Sequence, residues 1–341
     1  MSGAGGWILV VGYGSIGRRH FRNLRALGRP DVRLLRTTCG RAGAFADPPG
    51  AQVYRKLDAA LADRPGAVIV CNPTSLHVPT ARAALRAGAH VLLEKPVSGD
   101  LASARRLADE AGRAAGAVSV AYCFRYHPLY RGMHEAVAAG RLGRVFHAHA
   151  WQASYLPDWH PWEDYRTSYA ARAELGGGVV RTLDHELDQI RWTLGQPNEV
   201  LASAGAIAGL GVEVEDTADM IFRLPHRAQA NVHVAFGWRT EARGMWAAGE
   251  DGSAWLDGRA GTLTIAARAA GRDEPRQVVR LPDDFALNRV YVAMLADALS
   301  GFEAEPPRAA VPLADGVAAL EMAVGALESS DTGRAVTLKG A

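Results

Sequence analysis

The chain has 341 residues, 48% of them hydrophobic, with a formal net charge of +2, which is too long for one compact core and suits two domains. The near balance of charge, with arginines scattered rather than clustered, gives no reason to expect nucleic acid or a membrane as partner. Three widely spaced cysteines (Cys39, Cys71 and Cys123) argue against a disulfide framework or a zinc site, and no secretory pattern opens the chain, so the expected location is cytoplasmic.

Residues 7–11 form an apolar, β-branched run that ends in glycines, and residues 15–27 follow as a helical pattern closed by Gly28. Further short apolar runs lie at 32–35, 67–71, 91–93 and 117–121, with helical patterns over 74–87, stopped by Gly88, and over 101–114. Strand–helix alternation predicts a parallel sheet with helices on both faces, and runs apolar at every position predict strands covered on both sides. After about residue 123 the pattern changes. Residues 145–151, 218–224, 228–236 and 244–248 carry strand signals, and Gln229, Asn231 and His233 alternate with Ala230, Val232 and Val234. Alternation predicts an antiparallel or mixed sheet with two unlike faces. Helical patterns fall at 128–139, 185–194, 285–299 and 313–328. The expected fold class is α/β: a dinucleotide-binding domain of Rossmann type over residues 1–123, then an α+β domain over 124–341.

Gly12, Tyr13, Gly14, Ser15, Ile16 and Gly17 read G-x-G-x-x-G between a strand and a helix. The first glycine permits the tight turn, the second lets the backbone approach a pyrophosphate, and the third lets helix and strand pack closely. The helix N-terminus offers N–H groups and partial positive charge to the phosphates. The end of the second strand discriminates NAD from NADP. An acidic residue there binds the ribose 2′-hydroxyl, whereas an arginine meets a 2′-phosphate. Here it reads Arg36, Thr37, Thr38, without a carboxylate. This favours NADP(H), with NAD(H) the alternative if Arg36 only faces solvent.

Asn72, Pro73, Thr74, Ser75, Leu76 and His77 follow the third run, and Glu94, Lys95 and Pro96 the fourth. Together with the glycine turn, these motifs resemble the Gfo/Idh/MocA family, the glucose–fructose oxidoreductase and inositol dehydrogenase relatives. The resemblance continues through residues 122–128, Gly176 to Gly178 and the stretch His185, Glu186, Leu187, Asp188. It implies a Rossmann domain, a C-terminal domain with a large open sheet, and assembly as a homodimer or homotetramer through that sheet. It implies hydride transfer on sugars, cyclitols and related polyols. It further implies Lys95 and His185 beside the reacting carbon and Glu94 near the nicotinamide ribose. Asn72, Pro73 and His77 join the expected cofactor contacts, and the peptide bond before Pro96 is often cis in the family.

The chemistry of the residue types agrees. Oxidising a carbinol requires a base for the hydroxyl proton while hydride leaves, and the reverse requires an acid. Histidine titrates near neutrality and serves both directions. A lysine at the carboxyl end of a strand polarises the same oxygen. One departure stands out. Many relatives carry an aspartate four residues before the histidine, where this chain has Arg181. Asp184 stands beside His185 instead, and adjacent helical residues do not face each other.

Residues 155–166 are dense in aromatic and charged groups and suit carbohydrate, and they resemble a branch of the family found with bacterial surface-sugar and amino-sugar pathways. Arg125, Trp162, Arg166, Asp184 and Asp188 are expected with Lys95 and His185 at the substrate, Arg166 also at the cofactor. No metal site is expected. His147 and His149 share one strand face without a supporting cluster, and the stretch from His185 lacks the second histidine of H-E-x-x-H. Two other readings stay open: an NAD-dependent glycoside hydrolase of the same fold, and a non-catalytic dinucleotide-binding regulator.

Overall fold

The first apolar run folds as strand β1, Ile8–Val11, every residue of it buried. The structure, a computed structural model, describes residues 6–37, 46–269, 272–273 and 276–340, so Thr38 and Cys39 lie outside the described residues. The chain packs as two units. The first comprises residues 1–123 and Leu287–Val317, the second Phe124–Ala286 and Ala318–Ala341. The return of Leu287–Val317 to the first unit was not foreseen in the sequence, where everything beyond residue 123 was assigned to the second domain.

In the first unit, β1 leads through the glycine turn into α1, Ser15–Ala26, then β2, Val32–Leu35. Then come β3, Val53–Tyr54, α2, Leu57–Ala62, β4, Ala67–Val70, and α3, His77–Arg86. Strand β5, His90–Leu93, α4, Leu101–Ala111, and β6, Val118–Val120, complete the run. The sheet order is β3-β2-β1-β4-β5-β6 with every pairing parallel. Strand order reverses between β1 and β4, the place where open α/β sheets bind ligands. The helix Asn288–Phe302 lies on α1, with the Asn23 and Asn288 side chains donating to each other at 3.1 and 2.8 Å.

The second unit holds α5, Pro128–Ala138, whose Pro128 sits in the first turn where its missing N–H costs nothing. Strand β7, Val145–Tyr155, follows, then α6, Val179–Thr182, and α7, His185–Leu194. Strands β8, Glu199–Gly205, β9, Thr217–Leu224, β10, Ala228–Ala235, and β11, Gly237–Gly249, come next. They are followed by β12, Gly252–Asp257, β13, Thr262–Ala269, β14, Arg272–Asp273, β15, Gln277–Arg280, and β16, Val336–Thr337. They form one ten-stranded sheet in the order β14-β13-β12-β11-β7-β10-β9-β8-β16, with β15 on β13. Its one parallel pairing is β10 with β7, so the sheet is mixed.

The two faces of this sheet differ. Ala148, Ala150, Val232, Met220, Ala247 and Leu256 point to the buried side, where α5 covers β12 and β13 and α7 covers β7 and β10. The opposite side carries a registered row: Leu201, Ile221, Asn231, His149, Trp246, Trp255, Thr264 and Val278. Leu201, Ile221, Trp255 and Val278 in that row are exposed large hydrophobics. Among the described residues no helix is long and apolar enough to cross a membrane.

Candidate active site

The glycine turn is built as its spacing requires. Gly12 has φ +96°, and a Cβ there would stand 2.7 Å from the Cys71 carbonyl oxygen, so only glycine fits. A Cβ on Gly17 would overlap the Gly12 carbonyl, which is the close helix–strand packing that the third glycine serves. Gly14 is different: beyond its two chain neighbours, no heavy atom lies within 4 Å of where its Cβ would be. That opening at the N-terminus of α1 leaves room for a ligand to approach the backbone, as the second glycine of the motif requires. Ser15 is exposed there, while Tyr13 is half-buried with its ring edge-on to Phe21 at 6.0 Å.

At the end of β2, Arg36 Nη1 donates to Asp47 Oδ1 at 2.8 Å, and Arg55 Nη2 donates to Asp47 Oδ2 at 3.0 Å. Arg55 Nη1 also donates to the Arg36 carbonyl at 3.2 Å. The Arg36 hydrogen bond, with the charges of both guanidiniums, holds the Asp47 carboxyl below the usual range. The sequence showed no carboxylate after Arg36, and the fold brings one from eleven residues on. Thr37 is exposed beside this group.

The turn after β5 carries Glu94, Lys95 and Pro96, and the Lys95–Pro96 peptide is cis. Glu94 is 8% exposed. Its Oε1 lies 2.7 Å from His20 Nε2, and its Oε2 accepts the backbone N–H of Lys95 at 3.3 Å. Burial pushes the Glu94 carboxyl up, but the His20 hydrogen bond and the nearby Lys95 charge bring it below its ordinary value. Lys95 itself is half-buried. His77, expected at the cofactor, is 2% exposed and turned to the backbone. Its Nδ1 sits 2.8 Å from the Pro96 carbonyl and its Nε2 2.9 Å from the Asn72 carbonyl. It sits between the two turns, and the neutral ring that burial favours donates to one of these carbonyls. Asn72 Nδ2 donates to Thr80 at 2.9 Å, and Pro73 opens the following turn.

In the second unit, α7 begins with His185, 8% exposed, after Asp184, 1% exposed. Both acids of its first turn are taken by arginines. Asp188, wholly buried, accepts both donors of a two-pronged contact from Arg125, Nε to Oδ2 at 2.9 Å and Nη2 to Oδ1. Glu186 Oε1 accepts Arg243 Nε at 2.7 Å. The Arg243 guanidinium lies 3.4 Å over the Phe124 ring, and that ring meets the His185 imidazole at 4.9 Å and 62°. Asp188 and Arg125 were expected to line the substrate. The structure brings Asp188 and Arg125 together as a buried ion pair. Sequence reasoning missed Arg243, because its partner lies 57 residues away.

Arg181 is half-buried on α6, and the Glu215 carboxylate accepts the Val180 N–H at 3.2 Å beside it. Burial raises the Glu215 carboxyl. Trp162 is exposed, 5.0 Å from the His160 ring. Arg166 is exposed too, with its guanidinium 4.6 Å over the Tyr165 ring. Among the described residues no group of three or more His, Cys, Asp or Glu is arranged to hold a metal ion.

Residues 7–122 match the family described as an oxidoreductase family with an NAD-binding Rossmann fold, and residues 130–255 match the GFO/IDH/MocA C-terminal domain. A 1,5-anhydro-D-fructose reductase from Ensifer adhaerens is 30% identical over 328 residues, covering 93% of this chain and 93% of its own length. An inositol 2-dehydrogenase from Corynebacterium glutamicum is 30% identical over 191 residues, 54% of this chain and 53% of its own. Among solved structures, GenD2 from gentamicin A biosynthesis, in complex with NAD, superimposes with a TM-score of 0.80 at 26% identity. That match covers 98% of this chain and 96% of the other.

Proposed function

The chain belongs to the GFO/IDH/MocA family of NAD-binding oxidoreductases, and we propose that it moves a hydride between a nicotinamide dinucleotide and a carbinol or keto carbon of a sugar, sugar derivative or cyclitol. The observation that carries this reading is the pairing of an open phosphate cradle at Gly14 with a fixed lysine turn at Lys95, both at the carboxyl ends of the parallel strands. A relative that spans nearly the whole chain and is named a reductase of a sugar derivative supports it.

The backbone from Gly12 to Gly17 holds the pyrophosphate, and Asn72, Pro73 and Glu94 border the dinucleotide further along the strand ends. The dinucleotide, when bound, takes up or supplies the hydride. Lys95 holds the substrate oxygen, which stabilises negative charge as the proton departs. His185 accepts that proton in oxidation and returns it in reduction. Arg125, Trp162, Arg166 and Asp184 orient the hydroxyls. Asp188 holds Arg125, and His77 holds the turn that carries Lys95. In oxidation the carbinol C–H leaves as hydride and the O–H as a proton, which leaves a carbonyl.

NADP(H) is the favoured form, because the end of β2 carries Arg36, with Arg55 beside it on the same Asp47 carboxylate, and guanidiniums suit a 2′-phosphate. The exposed row of Ile221, Trp255 and Val278 on the second sheet is the contact between copies of this chain in a homodimer or homotetramer. A cytoplasmic location is in keeping with the buried thiols of Cys71 and Cys123. The direct test is absorbance change with NADPH or NADH and a set of probes that includes 1,5-anhydro-D-fructose, myo-inositol and free sugars. Net change in nicotinamide absorbance supports the reading. Release of sugar from a glycoside without net change would replace it with the hydrolase.

A further inference from the structure

His20 lies on the buried side of α1, three residues beyond Gly17, and is 0% exposed. Its Nε2 is 2.7 Å from Glu94 Oε1, while its Nδ1 is buried with no hydrogen-bond partner among the described residues. The ring packs edge-on to Tyr291 at 6.2 Å, and the Arg19 guanidinium covers the Tyr291 ring at 4.4 Å. Stability does not call for this arrangement. A buried polar atom without a protein partner is costly, and an apolar residue in place of a buried polar pair is often neutral or stabilising.

What the arrangement does achieve is placement. One Glu94 oxygen is held by His20 and the other by the N–H of Lys95, so the carboxylate and the lysine backbone are fixed together. From the far side, His77 holds the Pro96 carbonyl at 2.8 Å. Lys95 therefore stands between two histidine clamps, and only one of them reaches from the helix that begins at the phosphate cradle.

We propose that His20 is a positioning residue for Lys95, acting through Glu94. The inference rests on the proposed role of Lys95 for its consequence in turnover, but not for its consequence in structure. The titratable and charged groups around Glu94 are His20 and Arg19 from α1, Lys95 from its own turn, His77 from α3, Cys71 after β4 and Tyr291 from the Asn288–Phe302 helix.

The chain has three lysines, Lys56, Lys95 and Lys339, which makes a selective probe available. Reductive methylation with carbon-13 formaldehyde labels each amine, and Lys56→Arg and Lys339→Arg assign the signals. In His20→Leu and His20→Met the Lys95 signal moves while those of Lys56 and Lys339 stay. In His20→Gln, whose amide donates from the Nε2 position, it returns toward the wild-type place. NADPH affinity measured by fluorescence stays within about twofold, and kcat with 1,5-anhydro-D-fructose falls roughly tenfold to a hundredfold, as expected for a misplaced group. An unmoved Lys95 signal in His20→Leu, no recovery in His20→Gln, or failure of both apolar variants to fold overturns the proposal. If Lys95→Met turns over normally while the Lys95 signal still responds to His20, the catalytic role of Lys95 fails and the positioning link stands.

Discussion

Arg36 and Asp47, eleven residues apart in the sequence, meet at 2.8 Å. An isolated Arg–Asp pair would be neutral and would offer little to a phosphate. Arg55 on the second carboxylate oxygen adds a second guanidinium beside Arg36. Arg36→Ala and Arg55→Ala are each expected to weaken NADPH binding by about tenfold and leave NADH within about twofold, since a charge-assisted hydrogen bond contributes about 1.5–3 kcal/mol. Asp47→Asn is expected to tighten NADPH. Titration by fluorescence quenching measures all three, and a wild-type preference for NADH would remove the role given to Arg36.

Asp188 is wholly buried against Arg125, which is itself 8% exposed. Removing one partner of such a pair leaves the other charge uncompensated, at a cost of about 3–5 kcal/mol. Asp188→Asn is therefore expected to lower Tm clearly, and Asp188→Asn combined with Arg125→Met to recover part of the loss. Differential scanning calorimetry decides. An unchanged Tm in Asp188→Asn would show that the pair is not closed in solution.

His127 caps α5 by accepting the Leu129 N–H at 3.3 Å, and burial, with the Arg243 charge adding to it, pushes its pKa down to about 4. The folded imidazole thus stays neutral while the unfolded one protonates near pH 6.5. The resulting stability is complete above pH 6.5 and is lost as pH falls from there toward 4, by about 3 kcal/mol in all. His127→Asn, which keeps a capping oxygen, is expected to flatten the urea midpoint between pH 6.5 and 4. An equally steep decline in that variant would place the acid sensitivity elsewhere.

The exposed row on the mixed sheet gives a third kind of prediction. Ile221 and Trp255 stand four strands apart on one face, and a carboxylate introduced at either would be buried in a contact between copies. The wild-type chain is expected to run as a dimer or larger by light scattering, and Trp255→Glu or Ile221→Glu as a monomer with unchanged circular dichroism. A monomeric wild-type protein would leave that face without its proposed partner.

The first sheet was legible in the sequence because β1 and β4 are apolar at every position, β2, β5 and β6 are largely so, and β1 ends in a glycine turn of fixed spacing. Strand β3 was not, since two residues, Val53 and Tyr54, show no period. The helix Asn288–Phe302 was expected near 285–299, but a single apolar face does not say which sheet it covers, so its return to the first unit was invisible. At the site, the motif residues could be named, while their supports could not. His20, 74 residues from Glu94, and Arg243, 57 residues from Glu186, carry no local signal. The Asp188–Arg125 pair, 63 residues apart, likewise carries no local signal. Nothing in the neighbours of His77 shows that both its ring nitrogens lie against backbone carbonyls.

The account turns on Lys95 acting in the chemical step and not merely shaping its turn. The most direct measurement is kcat for Lys95→Met beside NADPH affinity, with the best probe found in the sugar and inositol screen. The account predicts a loss of roughly a hundredfold or more in kcat with dinucleotide affinity held within about twofold. Turnover at the wild-type rate in Lys95→Met would contradict it.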